Sequence, residues 1–271
     1  MRRKWLCCPV LIGLLIWLLW ANVAVELNEW QITSPELPHG FAGFRIAQVS
    51  DLHNTAHWEA AVERLAEAQP DIIVLTGDLV DSRDTDVDRA LDFVREAVEI
   101  APCYYVTGNH ESRIRDWPRL RQGLLDAGVR VLENDSAVLE RNGETITLLG
   151  LMDPDFGTDP AGTLEMLTEG EEGYTILLSH RPELMELYAQ HGVDLVFSGH
   201  AHGGQVRIPF VGGLVAPHQG FFPQYDAGLY RQNGTAMLVS RGVGNSIIPL
   251  RINNRPEVIV AVFGTGFFGE I

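Results

Sequence analysis

The stretch Val74-Leu75-Thr76-Gly77-Asp78-Leu79-Val80-Asp81 constrains the fold of this chain more than any other. The apolar run Ile72–Leu75, bounded by Pro70 and Gly77, has the make-up of a strand buried on both faces of a parallel sheet. It ends in a glycine and then releases two carboxylates, Asp78 and Asp81. The arrangement recurs. Arg45–Ser50 leads into Asp51-Leu52-His53, Tyr104–Thr107 into Gly108-Asn109-His110-Glu111, Thr175–Ser179 into His180, and Asp194–Ser198 into Gly199-His200-Ala201-His202. Ligands of open α/β sheets collect just beyond the carboxyl ends of the strands. These strands therefore deliver Asp, Asn and His side chains to a place where metals can collect them.

Between the strands the apolar spacing turns helical. Ala56–Gln69, with a cap at Asn54 or Thr55, Asp84–Ile100 and Trp117–Ala127 are predicted helices, which makes the first half a β-α-β-α-β series. Asp84, Asp86 and Asp88 are expected in the acidic first turn of the second helix, where the helix dipole favours them. The second half changes to short strands, Val129–Leu132, Ser136–Arg141 and Thr145–Leu149, the last two joined by an Asn142-Gly143 hairpin turn. Helices at Ala161–Leu167 and Pro182–Gln190 follow, then strands at Val206–Ile208, Ala236–Ser240 and Val258–Phe263. No internal repeat or second linker appears. The chain divides into a basic head and anchor (1–25), a connector (26–43) holding a short strand near Trp30–Thr33, and one α/β domain (44–271).

Arg2-Arg3-Lys4 precedes an uncharged run from Trp5 to Val25. Positions 5 to 25 inclusive make 21 residues, enough at about 1.5 Å per residue to cross a hydrocarbon core of about 30 Å. The basic head and the acidic exit at Glu26 and Glu29 predict a cytoplasmic N-terminus and a single-pass, membrane-anchored protein with its catalytic domain on the extracytoplasmic side. A cleaved signal peptide and a twin-arginine export signal are the competing readings. The net charge is −16, and Lys4 is the only lysine. So acidic a chain is ill suited to grip nucleic acid through its general surface, and any phosphate must be held locally. Cys7, Cys8 and Cys103 make no disulfide framework.

Asp51-x-His53, Gly77-Asp78-x-x-Asp81, Gly108-Asn109-His110-Glu111, His180 and Gly199-His200-x-His202, in this order, resemble the motif set of the calcineurin-like metallophosphoesterases over about residues 44 to 265. The resemblance implies a four-layer α/β/β/α double-sheet sandwich. It also implies that Asp51, His53 and His202 hold one divalent ion, that Asn109, His180 and His200 hold a second, and that Asp78 bridges the two. Carboxylate, imidazole and amide without thiolate suit Mn²⁺, Zn²⁺ or Fe. Two such ions about 3.5–4 Å apart acidify a shared water and clamp the oxygens of an in-line displacement at phosphorus. His110 is implied to serve the leaving oxygen, with Asp81 orienting it. Glu111 stands where the family often has Asp.

The tail, Gly203-Gly204-Gln205, Ser240-Arg241-Gly242-Val243-Gly244-Asn245-Ser246 and Pro249-Leu250-Arg251, resembles a bacterial subgroup of membrane-associated phosphodiesterases. This points to a phosphodiester or pyrophosphate substrate, lipid-linked or nucleotide-linked. The alternatives are a broad phosphomonoesterase and a metal-free binding module that keeps the fold. Outside the motifs, His39, His57 and His191 are expected at the surface or flanking helices, His218 as a packing residue of the Pro217–Tyr225 loop or one bordering the substrate, Asp153 and Asp155 as turn formers around Pro154, and Arg113 as a solvated loop arginine or a contact to a substrate phosphate. No oligomeric state follows from the sequence.

Overall fold

A computed structural model describes residues 7–245 and 250–264. The expected buried strand is Ile72–Thr76, every residue of it buried. It lies in a six-stranded sheet in the order Glu26–Ile32, Glu257–Phe263, Arg45–Val49, Ile72–Thr76, Cys103–Val106, Arg130–Val131. The three strands that end in ligand motifs are adjacent and parallel, with Val49 beside Leu75 and Leu75 beside Tyr105. Their carboxyl ends therefore open at one edge. A second six-stranded sheet runs Gly228–Gln232, Thr235–Val239, Leu195–Ser198, Thr175–Leu178, Glu144–Gly150, Asp135–Arg141. Within it the strands preceding His180 and His200 are parallel neighbours.

Side-chain alternation along each strand sets the layers. Ile72 and Val74 face Ile176, Leu178, Leu195 and Phe197 between the sheets. Ile73 and Leu75 turn outward against Leu65, Leu91, Val94 and Leu120 of the helices Trp58–Ala68, Val87–Val98 and Trp117–Asp126. On the far side Leu177, Val196 and Met237 pack on Leu164, Met185 and Tyr188 of the helices Pro160–Thr168 and Met185–Gln190. The result is the expected helix–sheet–sheet–helix sandwich. Each buried aliphatic side chain contributes about 1.5–3 kcal/mol, so the inner strands are the stiffest platform available to a site.

Several expectations shift. The stretch 26–43, expected as a connector, begins with a seven-residue edge strand, Glu26–Ile32, paired in parallel with Glu257–Phe263. The helix expected from Ala56 starts at Trp58 without a side-chain cap, because Asn54 belongs to the ligand turn and donates to the Asp84 carbonyl. The next helix starts at Val87 with Asp86 as its cap, accepting from the Arg89 amide. Strand Gly228–Gln232 is a further element, half-exposed and without clear alternation. Asn142-Gly143 makes the expected turn, both residues at positive φ.

Within the described part of the apolar N-terminal run, Cys7–Val23 is a helix of 17 residues, and Ala24 and Val25 lie beyond its end. At about 1.5 Å per residue it is about 25 Å long. No described helix is long and apolar enough to cross a membrane. Arg2-Arg3-Lys4 and Trp5 lie outside the described residues, as do Ser246 and Pro249 of the tail motif.

Candidate metal centre

Asp51, His53, Asp78, His200 and His202 all adopt left-handed backbone, with φ between 46° and 66°. Non-glycine residues rarely do so, and each costs about 1–3 kcal/mol unless its surroundings over-determine it. Here the turns are laced together. The Asp51 amide donates to Gly77 O at 3.0 Å and the His53 amide to Asp78 O at 3.0 Å. Gly77 and Gly108 lie so close that a Cβ on Gly77 would stand 2.6 Å from Gly108 Cα, and one on Gly108 would collide with Asp78 Oδ1. Only glycine at both positions lets the two ligand turns meet.

Glu111 is the clamp between them. Its buried carboxylate accepts the amides of Gly108 (2.8 Å), Asp78 (3.0 Å), Leu79 (2.8 Å) and Val80 (3.4 Å). Burial pushes this carboxyl up to about 7, against the pull of the amides toward the charged form. Glu111→Ala would strand these donors without solvent. At about 1–3 kcal/mol per buried unsatisfied group, it should destabilise the fold by about 3 kcal/mol or more. Urea unfolding of metal-free protein measures this, and a loss below about 1 kcal/mol would refute the clamp.

Among the described residues four groups of three candidate ligands converge, and the expected ligands fall in two of them, Asp51–His53–His202 and Asp78–His180–His200; the others are His53–Asp78–His110 and Glu183–His200–His218. His53 Nε2 and His202 Nε2 are 3.2 Å apart and lie 3.7 and 3.2 Å from Asp51 Oδ1. His180 Nε2 lies 3.2 Å from Asp78 Oδ2 and 3.1 Å from His200 Nδ1. Asp78 Oδ2 is also 3.6 Å from His53 Nε2, so this one oxygen faces both groups. Ligands bonded at about 2.1 Å to one ion stand about 3.0–3.4 Å apart at ordinary coordination angles, close to these spacings. Asn109 is buried and its Oδ1 has no hydrogen-bond partner, as an amide ligand of an ion would present. The residues fit two divalent cations.

Electrostatics agree. Burial by itself would raise the Asp51 and Asp78 carboxyls, yet the surrounding imidazoles hold both well below the usual range. Burial opposes charge on His180, but the Asp78 carboxylate pushes it up to about 10. The two aspartates thus demand positive charge. Burial, with His180 and Arg181 nearby, keeps His200 neutral as a ligand must be. His180 Nδ1 donates to Thr76 O at 2.7 Å, which leaves Nε2 free as the ligand atom. His200 Nε2 faces His218 Nδ1 at 2.9 Å, the corresponding orienting contact.

His218 is expected to pack, with a loop bordering the substrate as the alternative, and Arg181 carries no expectation. Arg181 is 3% exposed. Its guanidinium is held by both oxygens of Asp153, at 2.5 and 2.7 Å, and its Nη1 reaches His218 Nδ1 at 2.8 Å and His200 Nε2 at 3.3 Å. Asp153 also caps its turn as expected, accepting from the Asp155 amide. The signal for Arg181 was its place directly after His180; nothing local signals that His218 meets His200. Arg113 pairs with Asp155 at 2.6 Å, half-exposed.

His110 turns Nε2 toward the same space, 3.9 Å from Asp78 Oδ2. Its Nδ1 accepts the Ser82 amide at 2.9 Å, so the ring proton sits on Nε2. Burial pushes this imidazole down to about 4, keeping it neutral. Asp81, expected as the orienter, stands 3.7 Å from Nδ1 and spends its oxygens on Arg83. The peptide of Ser82 orients the ring in its place, because a neutral Nδ1 that accepts one N–H has nothing to donate to a carboxylate.

Residues 44–204 match the model of the calcineurin-like phosphoesterase family. The chain is 31% identical over 245 residues to the uncharacterized metallophosphoesterase YkuE of Bacillus subtilis, covering 87% of this chain and 84% of that one. It is 30% identical over 226 residues to the phosphodiesterase YaeI of Escherichia coli, covering 80% and 81%. Its fold is similar to the crystal structure of TT1561 of Thermus thermophilus, with a TM-score of 0.53 and 17% identity over 74% of this chain and 91% of that one. With the family's motif residues gathered at one buried centre, the chain belongs to the calcineurin-like phosphoesterases and is a hydrolase of phosphoric esters.

Proposed function

We propose that the chain cleaves phosphodiester or pyrophosphate bonds, using two divalent ions held by Asp51, His53, His202, Asp78, Asn109, His180 and His200. The carrying observation is the pairing of Arg181. This guanidinium touches His200, but Asp153 already neutralises it. A monoester dianion puts two negative charges on the phosphate and calls for a further cation, whereas each phosphate of a diester or a disubstituted pyrophosphate carries a single charge and does not. Bound there, two such ions would supply Lewis-acid polarisation and an acidified water. The chain's own residues do the rest. His110 donates a hydrogen bond from Nε2–H to the leaving oxygen as charge develops there, the Ser82 amide fixes its tautomer, and Asp81 with Arg83 shapes the turn that carries that amide. The name of the Escherichia coli relative supports the diester reading.

Chelation of the full-length protein should abolish hydrolysis, and Mn²⁺ should restore it, with bis-p-nitrophenyl phosphate cleaved faster than p-nitrophenyl phosphate. Full activity of metal-free protein would overturn the metal mechanism, and a preference for the monoester would overturn the substrate class.

The N-terminal helix supports a membrane tether. Ile12, Leu15, Ile16, Trp17, Leu19 and Trp20 are exposed along it, an arrangement unfavourable in water and natural in lipid. On this reading the catalytic domain lies on the extracytoplasmic side and meets lipid-linked or nucleotide-linked substrates. Protease added to intact spheroplasts should remove the domain from membrane-bound protein; a protected domain would reverse the orientation.

A further inference from the structure

The loop that brings His218 to His200 carries two short hairpins, Arg207–Ile208 with Gly212–Gly213 and Val215–Ala216 with Gly220–Phe221. Their outer surface is apolar. Phe210 is fully exposed at a tip, Phe221 is 75% exposed, and Val211 and Phe222 are 61% exposed each. Single exposed apolar residues are ordinary, but a cluster rich in phenylalanine on one loop marks an interaction surface. No element among the described residues covers it.

The backbone ties this surface to the root of the N-terminal helix. The Phe222 amide donates to Leu214 O, the Leu214 amide to Val206 O, and the Arg207 amide to Ile252 O. Next along the chain, Arg251 is stapled to the helix, its amide donating to Asn22 Oδ1 at 2.6 Å and its carbonyl accepting from Asn22 Nδ2 at 3.0 Å. The Arg255 guanidinium lies over the Trp20 ring at 4.4 Å. Tryptophan and arginine at the foot of an apolar helix sit at headgroup level. Wherever that helix enters lipid, the hairpin surface is held nearby by a continuous run of hydrogen bonds.

We infer that the surface carrying Phe210, Val211, Phe221 and Phe222 seats in the headgroup layer of the bilayer that receives the N-terminal helix. The inference rests on the membrane reading of that helix and names a second surface for the same bilayer. The occupant is lipid because the helix and the loop expose the same apolar chemistry and are joined through the Val206–Leu214, Arg207–Ile252 and Arg251–Asn22 hydrogen bonds. Apolar side chains bury about 5–10 Å into such a layer. Because the same loop carries His218, half-exposed and in contact with His200, seating it in the headgroups brings the centre beside them, where a lipid-linked phosphoester would be found.

The test uses the full chain with Cys7→Ser and Cys8→Ser, leaving Cys103 buried. A nitrobenzoxadiazole label is placed at Phe221→Cys or, as a control, at Val138→Cys on the exposed edge strand Asp135–Arg141. Both proteins are reconstituted into phosphatidylcholine–phosphatidylglycerol vesicles, with unchanged hydrolysis of bis-p-nitrophenyl phosphate showing an intact site. The label at 221 should shift to the blue and lose emission to nitroxide-bearing lipid, while the label at 138 does neither. If the chain floats with the vesicles but the two labels respond alike, the inference fails and the tether stands. If the chain does not float with vesicles, tether and inference fail together. Self-quenching of the 221 label without lipid quenching would assign the surface to a second copy and overturn the inference. None of these readouts depends on which phosphoester is cleaved.

Discussion

Asp78→Asn should empty both halves of the metal centre and lower the rate by about 10³-fold or more, since loss of several kcal/mol of cationic stabilisation costs tenfold for each 1.36 kcal/mol. The reason is positional. Asp78 Oδ2 faces His180 Nε2 at 3.2 Å and His53 Nε2 at 3.6 Å, so one oxygen serves both ligand groups. Its other oxygen accepts the His110 amide at 2.8 Å, and its own amide is held by Glu111. Asparagine preserves the shape of the turn and the contact to the His110 amide while removing the charge. The folded core should survive, because the strand behind it is untouched. Metal analysis beside circular dichroism checks this. Two ions bound per chain at unchanged affinity would remove Asp78 from the bridging position.

His110→Ala should keep both ions and lose about 10²–10³-fold in rate, the usual range for removing a hydrogen-bond donor to a developing oxyanion. The loss should fall in kcat, as for an interaction made in the transition state. It should shrink for a p-nitrophenolate leaving group, whose delocalised charge needs little stabilisation at the oxygen. The ring packs edge-on to His53 at 4.5 Å between centroids, so alanine opens space beside a ligand and metal content must be measured in the same preparation. Asp81→Asn should give a milder form of the same pattern, since Asp81 acts on His110 through the turn it makes with Arg83. Equal losses on activated and alkyl diesters, or loss of metal, would reassign His110 as a ligand or a substrate-binding residue.

The layered α/β fold and the candidate ligands were legible because both are written locally. A strand buried on two faces must be continuously apolar, as Ile72–Leu75 is, and the polar residue that follows it has nowhere to go but the sheet's open edge. Asp51, His53, Asp78, Asn109, His180, His200 and His202 each follow such a strand, so their convergence needed the parallel pairing of neighbours within each sheet and the packing of the two sheets face to face. Helix starts were less legible. Asn54 is a good cap by residue type, but its left-handed backbone and its bond to Asp84 commit it to the ligand turn.

Partners far apart in the chain were decided by tertiary structure alone. Glu26–Ile32 becomes a strand because Glu257–Phe263 offers it an edge, a pairing across 231 positions that no local pattern encodes. Glu111 reaches Leu79 across 32 positions, and Arg181 reaches Asp153 across 28. His218 meets His200 only because a loop of two hairpins folds back over the centre. Ser82 in place of Asp81 orients His110 because the contact is made by a backbone amide, which every residue but proline carries. The sequence determined which side chains stand at the strand ends, since burial leaves a strand little choice of residue. Only the packed sheets decided which groups hold those side chains in place, because such contacts depend on distance in space, and residue type alone does not report it.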